Sequence, residues 1–118
     1  MMLRRKPTRN AASLILAGAL LGLAGVAAPA QQAVTIQTSI KSHRFEPANL
    51  SAPAGKPIVL RIRNLDGSAA EFESVSLRVE KVIAANSEAI INIRPLQPGR
   101  YNFFDDFNPQ AKGVLVVQ

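Results

Sequence analysis

The stretch Pro98-Gly99-Arg100-Tyr101-Asn102-Phe103-Phe104-Asp105-Asp106-Phe107-Asn108-Pro109-Gln110-Ala111-Lys112-Gly113-Val114-Leu115-Val116-Val117 decides the fold. A Pro-Gly pair turns the chain. Tyr101 to Phe104 then make an aromatic strand. Two adjacent carboxylates, Asp105 and Asp106, stand where that strand stops. A short loop follows, and Val114 to Val117 form an apolar strand that closes a sheet.

Working upstream, the same pattern recurs. Ala89, Ile91 and Ile93 form one face of a strand ended by Pro95, after a turn at Asn86-Ser87. Leu77 to Ile83 includes another, with Leu77, Val79 and Ile83 as core candidates. Glu71 to Glu73 is short and extended. Ile58, Leu60 and Ile62 alternate with Val59, Arg61 and Arg63, the clearest strand of all, broken by Asn64-Leu65-Asp66-Gly67-Ser68. Pro53-Ala54-Gly55-Lys56 is a turn, Ala48 to Ala52 a short edge strand, and Val34, Ile36, Thr38 and Ile40 mark a half-buried strand. No segment carries a helical stripe. Roughly seven or eight short strands, punctuated by Pro and Gly, predict an all-β sandwich or barrel.

Residues 1–30 stand apart. Arg4, Arg5, Lys6 and Arg9 precede an apolar run from Ala11 to Ala28, and Ala28-Pro29-Ala30 supplies the small residues of a cleavage site. This pattern predicts a cleaved secretory signal peptide followed by one domain, residues 31–118. Left uncleaved, the same run would be a membrane anchor. Four of the fourteen basic residues and none of the eight acidic ones lie in it, so the remainder carries a net charge of +2. The basic balance therefore belongs to the signal and gives no ground for nucleic-acid binding. The chain has no cysteine. Disulfides, thiolate-held iron–sulfur clusters, cysteine nucleophiles and type-1 copper ligation are excluded.

Several short signatures occur in order. They are Phe45-Glu46-Pro47-Ala48-Asn49-Leu50, Pro53-Ala54-Gly55-Lys56-Pro57, Arg63-Asn64, Glu71-Phe72, Pro98-Gly99-Arg100-Tyr101, and Lys112-Gly113-Val114-Leu115-Val116-Val117. The ordered set resembles the cupredoxin-like domain family across residues 31–118. It is most similar to the EfeO-type and FtrB-like cupredoxin proteins of bacterial iron uptake. The resemblance implies a Greek-key β-sandwich with a metal site at one end. In copper-binding members four side chains hold the metal. Glu71 stands at the position of a His before a Phe, and Asp105 at that of the Cys four residues after the tyrosine. Asn108 stands at the second His and Ala111 at the Met before the closing glycine. No soft ligand remains. The oxygen donors that replace them suit ferrous or ferric iron, with copper or manganese behind it.

Glu71 and Glu73 are two apart, so on a strand they share a face, their backbones roughly 6–7 Å apart. They could chelate one ion or bracket two. Asp105 and Asp106 would point to opposite faces of a regular strand, but at its end both could turn inward. Glu71, Glu73, Asp105 and Asp106 are the expected metal ligands, with Glu80 a weaker one beside Lys81. The alternative is a set of surface ion pairs with Arg61, Arg63, Arg78 and Lys81, each worth little. His43, the one histidine, reads as an exposed residue in a polar bend. Of Phe103, Phe104 and Phe107, at least two are expected in the core.

Two functions follow from the resemblance. One is a periplasmic metal-binding accessory of iron uptake, partnered by an iron permease and a periplasmic iron-binding protein. The other is a metal-free interaction module that docks a transporter or another periplasmic protein. Enzymatic activity is not expected beyond a supporting role in iron oxidation, because one small domain with a single histidine has little means to handle electrons alone.

Overall fold

The computed structural model describes residues 31–118; the signal peptide expected over 1–30 lies outside them. Nine strands occur in chain order among the described residues. They are β1 (Val34–Lys41), β2 (Arg44–Glu46), β3 (Asn49–Ala52), β4 (Ile58–Asn64), β5 (Ala70–Ser74), β6 (Val79–Ile83), β7 (Glu88–Ile93), β8 (Gly99–Asp105) and β9 (Asn108–Val117). They build a Greek-key sandwich of two mixed sheets, ordered β2-β1-β4-β7 and β3-β9-β8-β5-β6. β1 and β4 pair in parallel, as do β3 and β9. The remaining pairs are antiparallel.

The alternation in the sequence sets which face turns inward. In β4, Ile58, Leu60, Ile62 and Asn64 are buried while Arg63 is exposed. In β7, Ala89, Ile91 and Ile93 are buried and Glu88, Ile90 and Asn92 are exposed. Burying such side chains stabilises by about 1.5–3 kcal/mol each. At the centre, Phe45, Phe72 and Phe103 meet. The Phe45 and Phe103 rings stand edge to face at 4.9 Å, and Phe72 lies 5.1 Å from Phe103. Of the three phenylalanines near the closing turn, Phe103 is core, Phe104 is half-buried and Phe107 is 51% exposed. The expectation of two core rings fails because Phe104 alternates with Phe103 onto the outer face of β8 and Phe107 sits on the β8–β9 turn. The Tyr101 hydroxyl donates to Gln97 O at 2.8 Å, pinning the start of β8.

Two elements differ from the sequence reading. Lys41 to Arg44 is a hairpin that starts a ninth strand, not a bend. Ser42 and His43 both adopt left-handed backbone, at φ 52° and 57°. Two-residue hairpins need that geometry, usually supplied by Asn or Gly. Here Asp66 compensates: its carboxylate accepts the Ser42 N–H at 2.7 Å and the His43 N–H at 2.9 Å. The His43 N–H, and then the Ser42 N–H and the His43 charge, hold the Asp66 carboxyl below the usual range against the opposing effect of partial burial. The second difference is at the closing turn. The expected loop over 108–113 is strand, because β9 begins at Asn108, paired directly with Asp105.

Gly113 shows how closely β9 is packed between β8 and the residue before β3. It pairs with Phe103 in the ladder. A Cβ at Gly113 would lie 2.6 Å from Ala48 O and would run into the Phe103 ring. We expect Gly113→Ala to destabilise the domain by about 1–3 kcal/mol through overpacking. Urea unfolding followed by circular dichroism measures this, and an unchanged midpoint would mean that Phe103 can move aside.

A candidate metal centre of carboxylates

Burial in β5 fixes the direction of its two glutamates. Ala70, Phe72 and Ser74 are buried, so Glu71 and Glu73 emerge on the outer face of the five-stranded sheet. Ser74 anchors the strand, its Oγ donating to Asn102 O at 2.6 Å. On β6, Glu80 stands opposite Glu73 and Val82 opposite Glu71.

Asp105 behaves differently from its neighbours. Its carboxylate is fully buried. Oδ1 accepts the Glu71 N–H at 2.9 Å and the Phe107 N–H at 3.0 Å. The Asn108 amide donates to Oδ2 at 3.4 Å. In return, the Asp106 N–H donates to Glu71 O at 2.8 Å. Asp105 thus spends its oxygens on the backbone of β5 and of the turn. That closes the turn to two residues and carries Asp106 out beside Glu71.

The structure therefore brings together three of the five expected ligands. Glu71, Glu73 and Asp106 each offer a carboxylate oxygen, and these oxygens lie within 4.8 Å of one another. The two glutamates are half-buried and Asp106 is exposed. Glu80 flanks the group across the ladder, and Asp105 lies beneath it, facing inward. The four positions matched to copper ligands do not converge on an open site. Asp105 and Asn108 bond each other, Ala111 is buried in the core, and Glu71 points out of the sandwich. With no cysteine, there is no type-1 copper site.

The electrostatics are those of like charges held close. Partial burial, then the charges of Glu80, Asp106 and Glu73, push the Glu71 carboxyl above the usual glutamate range. Partial burial, then Asp106 and Glu80, does the same for Glu73. The expected basic partners do not reach them. Arg61 pairs with Glu88 at 3.0 Å, on the other sheet. Arg78 borders a hollow with Glu73 and Glu80. Among the described residues, however, neither Arg78 nor Lys81 is within ion-pair distance of any carboxylate. His43 is half-exposed and lies 3.6 Å from Asp66. Asp66 was not singled out in the sequence, although Asn64-Leu65-Asp66-Gly67 is a turn signal that suits such a bond.

Comparison with known proteins places these observations. The model of the family described as the cupredoxin-like domain matches residues 13–117. Uncharacterized protein RP394 of Rickettsia prowazekii (strain Madrid E) is 36% identical over 83 residues, covering 70% of this chain and 66% of that protein. The chain thus spans just under two thirds of that relative's length. Among solved structures, one similar to it is the metal binding domain of the Cu(I) exporting P-type ATPase CopA of Streptococcus pneumoniae. That match has a TM-score of 0.65 at 18% identity and covers 76% of this chain and 99% of the other. Auracyanin A, a "blue" copper protein of Chloroflexus aurantiacus, matches with a TM-score of 0.63 at 15% identity, covering 74% and 100%. At these identities the likeness is one of fold.

Two outcomes are expected. Asp105→Ala strips two backbone N–H groups of their acceptor and should cost about 2–3 kcal/mol in chemical denaturation. A cost near zero would mean that the turn holds itself. Glu73→Gln should give a small rise in the thermal midpoint of metal-free protein near neutral pH. A raised folded-state carboxyl costs stability above its own titration range, and that cost fades as protons bind. The advantage of the variant should therefore vanish as the pH falls through the range just above that of an ordinary glutamate; a pH-independent difference would refute the like-charge account.

Proposed function

The chain belongs to the cupredoxin-like domain family, and we propose that it is a periplasmic metal-binding accessory of iron uptake, akin to the EfeO-type and FtrB-like proteins. In this reading it takes iron as cargo through Glu71, Glu73 and Asp106, with Glu80 adding negative charge at the rim. The observation that carries the reading is the convergence of three carboxylate oxygens within 4.8 Å. No lysine or arginine pairs with any of them among the described residues.

Chemistry supports the choice of ion class. Carboxylate oxygens are hard donors that favour iron or manganese over cuprous copper. Three carboxylates on one exposed face would leave further coordination positions to water or to a partner's ligands. That suits an ion handed on more than one kept. An iron permease and a periplasmic iron-binding protein are the partners this reading requires.

A second reading has its own observation. Phe107 is 51% exposed and Val82 54% exposed, beside Asp106 and Glu71 respectively. Apolar groups at an acidic rim would equally serve a metal-free module that docks a transporter.

One experiment separates the two. Calorimetry with ferrous, ferric, manganous and cupric ions should show iron binding that drops about 100-fold, roughly 2.7 kcal/mol, in Glu71→Gln combined with Asp106→Asn. Affinity should fall with pH through the raised glutamate range, as protons compete for the same oxygens. Unchanged iron affinity in the double variant would sink the site. Co-purification of a permease that ignores chelators and fails in Phe107→Ser would establish the docking reading instead.

A further inference from the structure

The opposite sheet carries a concavity of opposite character. A cleft of about 480 Å³ lies between the end of β4 and the β6–β7 turn, within the roughly 300–1,000 Å³ typical of small-molecule sites. Arg61, Arg63, Leu65, Asn86, Ser87 and Glu88 line it. Arg61 and Arg63 are two apart on β4, so both guanidinium groups emerge on the same outer face.

The pairing of charges leaves this cleft cationic. Glu88 stands directly opposite Arg63 in the ladder. Its carboxylate nevertheless reaches diagonally to Arg61 Nη2, at 3.0 Å. Arg63 is left with no carboxylate within ion-pair distance among the described residues. Arg61 is held by one edge only: Nη2 bonds Glu88, and its buried Nε has no acceptor among the described residues. Pinned through Nη2, the part-exposed Arg61 keeps Nη1 donors for a second acceptor, and Arg63 keeps its whole guanidinium. The turn that forms the far wall is fixed. The Asn86 N–H donates to Asp66 O at 3.1 Å, and the Ser87 hydroxyl donates to Ala85 O at 3.1 Å. Leu65, 45% exposed, supplies an apolar wall. Register places Lys41 and Arg44 on the same outer face, with Glu46 and Glu88 as its acids.

We infer that this cleft binds a small carboxylate anion, of the size of a di- or tricarboxylate. One carboxylate would meet the unpaired Arg63 guanidinium, and the solvent-facing Nη edge of Arg61 would add a second charged donor. Guanidinium groups match planar carboxylates through paired N–H donors. The concave shape, bounded by Leu65 and the 86–87 turn, favours a small molecule over a flat protein surface. The site is independent of the carboxylate cluster, which lies on the other sheet.

The test uses the whole chain, free of metal, with isotope-edited NMR. Citrate, succinate and phosphate are titrated separately, followed by an acidic peptide. Citrate or succinate should give saturable, salt-sensitive shifts of the Arg63 Nε–H and of the Asn86 and Ser87 amides, and bind more tightly than phosphate. Arg63→Gln, at an exposed position, should weaken binding about tenfold. Glu88→Gln should strengthen it, because a competing carboxylate is removed. Both variants should leave iron affinity unchanged, so failure here is separable from failure of the metal site. Absence of saturation at millimolar carboxylate would overturn the inference. So would shifts that survive Arg63→Gln, phosphate binding in preference to carboxylates, or binding of the acidic peptide alone.

Discussion

The buried carboxylate of Asp105 is the constraint on which the acidic end of this sandwich depends. A charged group taken out of water must be compensated by donors. Here the donors are the backbone N–H groups of Glu71 and Phe107 and the amide of Asn108. Those bonds tie β5 to the β8–β9 turn at one point. They fix the turn at two residues, place Asp106 beside Glu71, and leave Glu71 and Glu73 directed outward. A residue that looked like a metal ligand is the anchor that positions the acidic cluster.

The consequence is an acidic cluster displaced from the positions matched to copper ligands. The family resemblance led to the interior end of the sandwich, where copper-binding members hold their metal. In this chain that end is filled by Asp105, Asn108 and the core residue Ala111. The acids that do converge lie on the outer face of the sheet. The cost of holding them close appears as raised glutamate titration, a cost that a bound cation or a proton relieves. The other sheet carries the reverse arrangement: Glu88 pairs with Arg61, and Arg63 is left without an ion-pair partner among the described residues.

Hydrogen bonds from turn acids and amides recur as the device that stabilises the connections. Asp66 satisfies both left-handed residues of the β1–β2 hairpin. The Asn64 side-chain amide, fully buried, reaches Ser68 O, Ile83 O and Ala84 O. It holds the chain where it crosses between sheets. With no disulfide to staple these loops, such bonds and the Phe45–Phe72–Phe103 contact are what keep the two sheets in register.

Alternation alone identified β1, β4 and β7, because period-two burial is written into consecutive residues. The absence of cysteine alone excluded a type-1 copper centre. The pair Glu71 and Glu73 was legible for the same reason: spacing along one strand fixes a shared face. What spacing could not decide was the direction of Asp105 and Asp106 at a strand end, where the two-residue period stops applying. That depended on which backbone donors were left unpaired once β5, β8 and β9 had docked. It also depended on distant partners such as Asp66, twenty-three residues from the His43 N–H it accepts. Strand identity is a local property of the chain; the convergence of acids from β5 and the β8–β9 turn is a property of their packing.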